Sequence, residues 1–181
     1  VPKFLIEADL QGCFDSIDHE ALIRKLKTFP VMEAQIRAWL KSGLLTGEVF
    51  HNTGSGTPEG SVISPLLANI ALHGFESHIA EKFPLSKTRI GQPKGKMKEY
   101  SEARVIRYGD NFVILHEEEE VIKKALEETR KWMHTIGLIL NEKKTRMCHT
   151  LESYQGEKPG FDFLGFHIQS YQRGKHQAGK K

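Results

Sequence analysis

The sequence predicts an α+β domain in which helices pack on one face of an antiparallel sheet. The first observation is a short apolar run near the start of the chain, which is typical of a buried strand. The second is a pair of β-branched and aromatic runs within 104–116, joined by Gly109 and Asp110, which predicts a hairpin. The third is that amphipathic helical patterns lie between these strands and after them.

The remaining elements follow from periodicity and from turn and capping residues. Residues 3–10 form the first strand, and Asp18 caps a helix that Pro30 ends. A second helix spans about 32–40, where apolar residues recur at helical spacing. The later elements are a strand at 48–51, a long helix at 61–83, a basic loop at 84–103, a helix at 117–137, and strands at 138–141, 145–149 and 161–168.

The composition is that of an ordinary globular protein, with 39% hydrophobic and 27% charged residues. Neither a membrane-spanning run nor a signal peptide is visible, so we expect no membrane partner. The two cysteines fit neither a disulfide framework nor a zinc site, which favours a reduced, cytoplasmic setting. Because the chain opens on Val1 without an initiator Met, we expect residues 1–181 to be a single-domain fragment.

Two aspartates lie at the ends of predicted strands. Asp9 ends the first strand, and Asp110 lies at the tip of the hairpin after Gly109, which accepts the positive φ of a type II′ turn. Taken alone, this tip is an ordinary solvated turn. If the first strand lies beside the hairpin, both carboxylates meet at one edge of the sheet. Paired carboxylates attract Mg²⁺, and two metal ions bridged in this way serve in-line phosphoryl displacement.

Five segments resemble the motifs of reverse transcriptases, and they occur in that family's order. They are 8–19 (motif A), 56–70 (motif B), Tyr108-Gly109-Asp110-Asn111 (the Tyr-x-Asp-Asp box of motif C), 137–141 with Lys144 (motif D) and 163–166 (the following block). The sequence of residues 63–70 is most similar to that of reverse transcriptase/maturases encoded by bacterial group II introns. The resemblance implies a reverse-transcriptase palm, without the fingers and thumb (maturase) domains of that family.

The resemblance assigns the chemistry to the sheet end. It implies that Asp9 and Asp110, with Asn111 beside them, form the catalytic set and hold two Mg²⁺ ions, with Mn²⁺ as the alternative. The Leu10 carbonyl is a further metal ligand. Lys144 lies near the departing phosphates, although a plain surface lysine is the other interpretation.

The resemblance also assigns the substrate contacts. The nucleotide pocket is formed by Leu10, Phe14, Pro58, Glu59, Gly60 and Lys144, with Phe14 as a steric gate or, alternatively, a core residue. The nucleic-acid contacts are Tyr108, Lys94, Lys96, Lys98, Phe163, Leu164 and Gly165. The segment 163–166 belongs to a primer grip or to the core. The basic loop contacts phosphates or is merely solvated.

Two residues depart from the family pattern within the chemistry. Asn111 stands where motif C usually has a second aspartate, so the site has one negative charge fewer. Glu59 stands where motif B usually has Gln, and it is an acceptor where Gln could donate to the nucleotide. Both changes predict weakened polymerisation.

Three functions are compatible with these motifs. The leading one is an RNA-directed DNA polymerase of a group II intron-type element in the bacterial cytoplasm. Its partners are an RNA template or intron RNA, a DNA primer and deoxynucleoside triphosphates. The alternative is a catalytically impaired maturase that binds intron RNA and assists splicing. The third is a reverse transcriptase of the same palm type that serves a CRISPR or diversity-generating system.

Overall fold

The computed structural model describes residues 2–41, 44–46, 49–51, 55–56, 62–90 and 96–172, with only the backbone described at 44–46, 49–51, 86–90 and 96–100. The helices are α1 (Cys13–Ser16), α2 (His19–Leu26), α3 (Pro30–Lys41), α4 (Ser64–Leu72), α5 (Phe75–Lys82) and α6 (Glu119–His134). The strands are β1 (Phe4–Ala8), β2 (Leu44–Thr46), β3 (Val49–His51), β4 (Ser86–Ile90), β5 (Lys96–Tyr100), β6 (Arg104–Tyr108), β7 (Asn111–His116), β8 (Arg146–His149), β9 (Phe161–Phe163) and β10 (Phe166–Ile168).

A four-stranded antiparallel sheet with the order β6-β7-β1-β8 is the framework of the domain. Strand β1 lies inside this sheet, between β7 and β8. The register pairs Ala8 with Phe112 on one side and Glu7 with Arg146 on the other. Three more antiparallel pairs, β2–β3, β4–β5 and β9–β10, form separate small sheets.

The two faces of the main sheet differ in what covers them. Side chains of one face, such as those of Ile6 and Phe112, belong to the main core together with buried residues of all six helices. The other face contributes Leu5 and Val113 to a small cluster that Phe161 of β9 completes. Helices therefore cover one face, and the predicted α+β class is confirmed.

Several local predictions are confirmed because they depend on near neighbours. Asp18 caps α2, and its Oδ1 accepts a hydrogen bond of 2.6 Å from the amide of Ala21. The hairpin 104–116 is present, and Gly109 takes the positive φ of 61° that its turn requires. In the described part of the chain, no helix has both the length and the apolar character to cross a membrane.

The predicted helix boundaries were wrong in two places. Helix α2 ends at Leu26, and Pro30 begins α3, because a proline fits the first turn of a helix, where its missing N–H is not needed. The long helix predicted for 61–83 is divided into α4 and α5. Gly74 separates them with φ of 90°, a conformation that an L-residue rarely adopts.

Three strand and loop predictions were also wrong. The predicted basic loop contains two antiparallel strands, β4 and β5, and residues 91–95 between them in the sequence lie outside the described part of the chain. The segment 138–141 forms only a bridge between Leu140 and Leu10 rather than a strand. The predicted strand 161–168 is a hairpin, β9–β10, because Leu164 and Gly165 both have positive φ and reverse the chain.

Two glycines fix the corner between α1 and α2. Gly56 donates its amide to the carbonyl of Ile17, and a Cβ at Gly56 would lie 2.4 Å from the Phe14 carbonyl oxygen. Gly137 approaches the same corner, where a Cβ would lie 2.7 Å from the Ser16 carbonyl oxygen. The backbone contacts exist only because both residues lack a side chain.

We expect Gly137→Ala to destabilise the fold strongly, and Gly74→Ala is its matched control. Both glycines have positive φ, 79° and 90°, but nothing lies within 4 Å of a Cβ at Gly74. The control should therefore cost only the left-handed backbone penalty of about 1–2 kcal/mol. Gly137→Ala adds a clash, so we expect a further loss of about 2 kcal/mol in urea unfolding. Equal losses for the two variants would contradict the close packing.

Candidate active site

The register of the sheet brings the predicted catalytic residues to one end. Since Ala8 pairs with Phe112, the next position on each strand is Asp9 on one side and Asn111 on the other. Asp110 precedes Asn111 in the β6–β7 turn. Asp9 is buried, with 9% of its surface exposed, whereas Asn111 is exposed. Two carboxylates and an amide from distant parts of the sequence therefore lie at the same sheet end.

Lys144 binds Asp9 directly. Its Nζ lies 2.5 Å from Asp9 Oδ2, and the amide of Asn141 donates to the Asp9 carbonyl oxygen at 2.9 Å. The hydrogen bond with Asp9, then the charge of Asp9 and, more weakly, that of Asp110 raise the pKa of Lys144 above its ordinary value. The lysine thus stays protonated through neutral and moderately alkaline pH and acts as a cation within the site.

Asp110 has a neutral neighbour instead. The side-chain amide of Asn111 donates to Asp110 Oδ1 at 3.2 Å. Burial, and after it the negative charge of Asp110, raises the pKa of the nearby Cys13 thiol to about 12. Arg107 opposes this effect, and Asp9 adds to it. Cys13 is consequently a neutral core thiol and not a nucleophile.

A cleft of about 350 Å³ opens beside Asp9, and its lining mixes both signs of charge. It is lined by Glu7, Ala8, Asp9, Asn111, Lys143, Lys144 and Arg146. A larger cleft of about 540 Å³ lies at the C-terminal ends of α2 and α4 and contains none of the predicted site residues. Sequence reasoning assigned no role to Glu7 or Arg146. The one signal in the sequence was that Glu7 interrupts an otherwise apolar strand.

The donor set of this sheet end fits a hard divalent cation. Asp9 and Asp110 offer carboxylate oxygens, which Mg²⁺ and Mn²⁺ prefer. The bridge between residues 9–11 and 139–141 uses the carbonyls of Asp9 and Ile139, not that of Leu10. Across the residues whose side chains are described, no group of three or more acidic, His or Cys residues is gathered for a metal.

The predicted substrate residues occupy different environments. Phe14 is partly buried against the main core on α1. Tyr108 is 68% exposed at the end of β6. Phe163 packs partly against the small cluster, and Leu164 is exposed with Gly165 at the tip of the β9–β10 hairpin.

Several predicted residues lie where the structure gives no side-chain information. Pro58, Glu59, Gly60 and Lys94 lie outside the described residues. Lys96 and Lys98 belong to β5, of which only the backbone is described. Their roles stay predictions.

Comparison with protein families gives a match over almost the whole chain. Residues 2–168 match the family described as reverse transcriptase (RNA-dependent DNA polymerase). The chain belongs to the reverse transcriptase family. Its relatives include the group II intron-encoded protein LtrA of Lactococcus lactis subsp. cremoris, with 30% identity over 92% of this chain and 35% of that protein. Protein YkfC of Escherichia coli K12 is 27% identical over 92% of this chain and 47% of its own length.

Two solved structures show the same reverse transcriptase fold. Apo telomerase from Candida tropicalis superposes with a TM-score of 0.66 at 12% identity, over 92% of this chain and 30% of that one. Telomerase from Candida albicans, in complex with a fragment of telomeric RNA, gives 0.62 at 12% identity, over 93% and 29%. Because the chain spans about a third of LtrA and of the telomerases, these comparisons describe one part of larger proteins.

We expect Lys144→Gln to strengthen divalent-cation binding, because the variant removes the ammonium that occupies Asp9. The affinity for Mn²⁺, measured by the loss of its free electron paramagnetic resonance signal, should rise several-fold. Lys143→Gln is the matched control, since Lys143 lines the same cleft but forms no ion pair with Asp9 among the described contacts. An equal gain in both variants would mean that Lys144 acts only through the general charge of the cleft.

Proposed function

We propose that residues 1–181 form the palm of an RNA-directed DNA polymerase from a group II intron-type retroelement. One observation carries this proposal: the sheet register brings Asp9 and the Asp110–Asn111 turn to one end of the sheet, beside a cleft that contains Lys144. Membership of the reverse transcriptase family and the similarity to LtrA support the same activity. The proposed partners are an RNA template or intron RNA, a DNA primer and deoxynucleoside triphosphates.

In the proposed polymerase, Asp9 and Asp110 would hold two Mg²⁺ ions, with Mn²⁺ as the alternative. When bound, such ions activate the primer 3′-hydroxyl and stabilise the leaving pyrophosphate. Lys144, released from Asp9, supplies positive charge for the departing phosphates. Phe14, held by its helix against the core, packs under the sugar and excludes a 2′-hydroxyl.

The maturase alternative has an observation of its own in its favour. Each essential carboxylate already has a partner within the chain, Asp9 with Lys144 and Asp110 with Asn111. The charge of Asp9 is therefore offset within the chain by Lys144, whereas Asp110 keeps its charge beside the neutral Asn111. Asn111 and Glu59 point in the same direction, since each changes a position that polymerisation uses.

Primer extension and splicing assistance, measured on the same intact protein, separate the two functions. For a polymerase, Asp9→Asn should reduce primer extension by at least about 100-fold, the order that removal of one preorganised charged group costs. Asn111→Asp combined with Glu59→Gln should raise extension several-fold, because the pair restores the missing charge and the donor. Splicing assistance should not change in any variant. If neither the unmodified protein nor the restored variant extends a primer, the polymerase proposal is wrong and the maturase function is the one supported.

The basic loop at 84–103, which precedes β6, is the proposed RNA contact outside the active site. Replacing Lys94, Lys96 and Lys98 by Gln should reduce RNA affinity and flatten its salt dependence, by about 0.7 in slope for each phosphate that is no longer neutralised. The matched control replaces Lys82, Lys124 and Lys131, which are exposed on α5 and α6. The idea fails if both triple variants change the salt slope equally.

The proposed location is the bacterial cytoplasm. Both cysteines are free and buried, which suits a reducing compartment. The similarity to LtrA, a protein of a bacterium, supports the same assignment.

A further inference from the structure

Glu7 is a half-buried acid on the central strand, and it has one dominant partner. Its Oε2 accepts from Arg146 Nε at 2.9 Å and lies 2.8 Å from a terminal nitrogen of the same guanidinium. Glu7 and Arg146 are also direct cross-strand neighbours in the β1–β8 register. Two contacts from one guanidinium to one carboxylate fix its position more tightly than a single ion pair does.

Arg146 also reaches the β9–β10 hairpin. The same terminal nitrogen lies 3.3 Å from Asp162 Oδ2, and the Asp162 amide lies 3.4 Å from Glu7 Oε2. His167 Nδ1, 2.8 Å from Asp162 Oδ1, and then Arg146 hold the pKa of Asp162 below its usual range. Glu7 and Asp162 together direct the guanidinium toward the hairpin.

Asp9 lies on the same sheet face as Glu7, because side chains two residues apart on a strand share a face. A residue at this position of a continuing ladder is the diagonal neighbour of Arg146, and such neighbours are about 7–8 Å apart, a separation that a long side chain can span. Asp9, Glu7 and Arg146 line one cleft. Without Glu7, Asp9 is the buried carboxylate left in this cleft, since Asp162 and Glu157, which also face Arg146, are both exposed.

We infer that Glu7 is a positioning residue that holds Arg146 against the β9–β10 hairpin and thereby keeps Asp9 available to a divalent cation. The exposed Lys144 is then the one competitor that the described contacts place on Asp9, and a lysine that is 64% exposed is easily displaced. An arginine on Asp9 would be a stronger competitor, because its planar fork binds carboxylates at two points. This inference rests on the proposed metal-dependent function.

The test is a double-mutant cycle with Mn²⁺ alone as the probe, in the intact protein. The variants are Glu7→Gln, Arg146→Met and their combination, because Gln has the shape of Glu and Met keeps an unbranched apolar stem, while each replacement removes the charge. Glu7→Gln should weaken Mn²⁺ binding at least about fivefold more when Arg146 is present than in the Arg146→Met background, a coupling typical of contacting residues.

Glu157→Gln is the matched control. Glu157 also faces Arg146, at 3.7 Å, but does not lie on β1, so its replacement should change affinity less than about twofold.

A second measurement follows Arg146 itself. Its side-chain Nε–H resonance should shift in Glu7→Gln and shift again when Asp9→Asn is added, since the guanidinium then loses its new partner. Equal losses of Mn²⁺ affinity in the two backgrounds overturn the inference, because Glu7 would act through its own charge. An unmoved resonance, or no loss in either background, also overturns it. If the unmodified protein binds no Mn²⁺, the proposed polymerase itself fails, which is a different result.

Discussion

Strand β1 is hydrogen-bonded on both sides, to β7 through five residue pairs and to β8 through four. This double pairing fixes which side chains face the helices and which face the cleft. A slip of one residue would turn Ile6 and Ala8 out of the main core and move Asp9 to the opposite face. The position of Asp9 is therefore enforced by the burial of its neighbours, so packing determines the geometry of this sheet end.

The corner between α1 and α2 extends this constraint to distant parts of the chain. Gly56 and Gly137 both approach the backbone of residues 14–18 too closely for any side chain. The amide of Asp18 also donates to the Ile136 carbonyl at 3.0 Å. The segments that resemble motifs A, B and D are thus joined through backbone contacts, which explains why glycine is required where these segments meet.

The sequence predicted best what depends on short separations along the chain. The Asp18 cap and the Gly109 turn need only residues within a few positions, and both are present. The break at Gly74 was missed because an apolar helical pattern continues through it. The contact of Glu7 with Arg146 spans 139 positions, so no local pattern contains it. Asp9 and Asp110 were brought together correctly because family motifs, unlike local periodicity, carry long-range information.

The two carboxylates at this end of the sheet, Asp9 and Asp110, have partners of different charge. Lys144 is a largely exposed cation paired with the buried Asp9, so a divalent ion, which carries twice its charge and prefers carboxylate oxygens, can displace it. Asn111 is neutral and leaves the charge of Asp110 intact while donating a hydrogen bond to it. With Asn111 in place of an aspartate, the site lacks one negative charge that could bind a metal ion. It also lacks the repulsion that this charge would exert on Asp110. We infer that the proposed site holds divalent ions less tightly than it would with an aspartate at position 111.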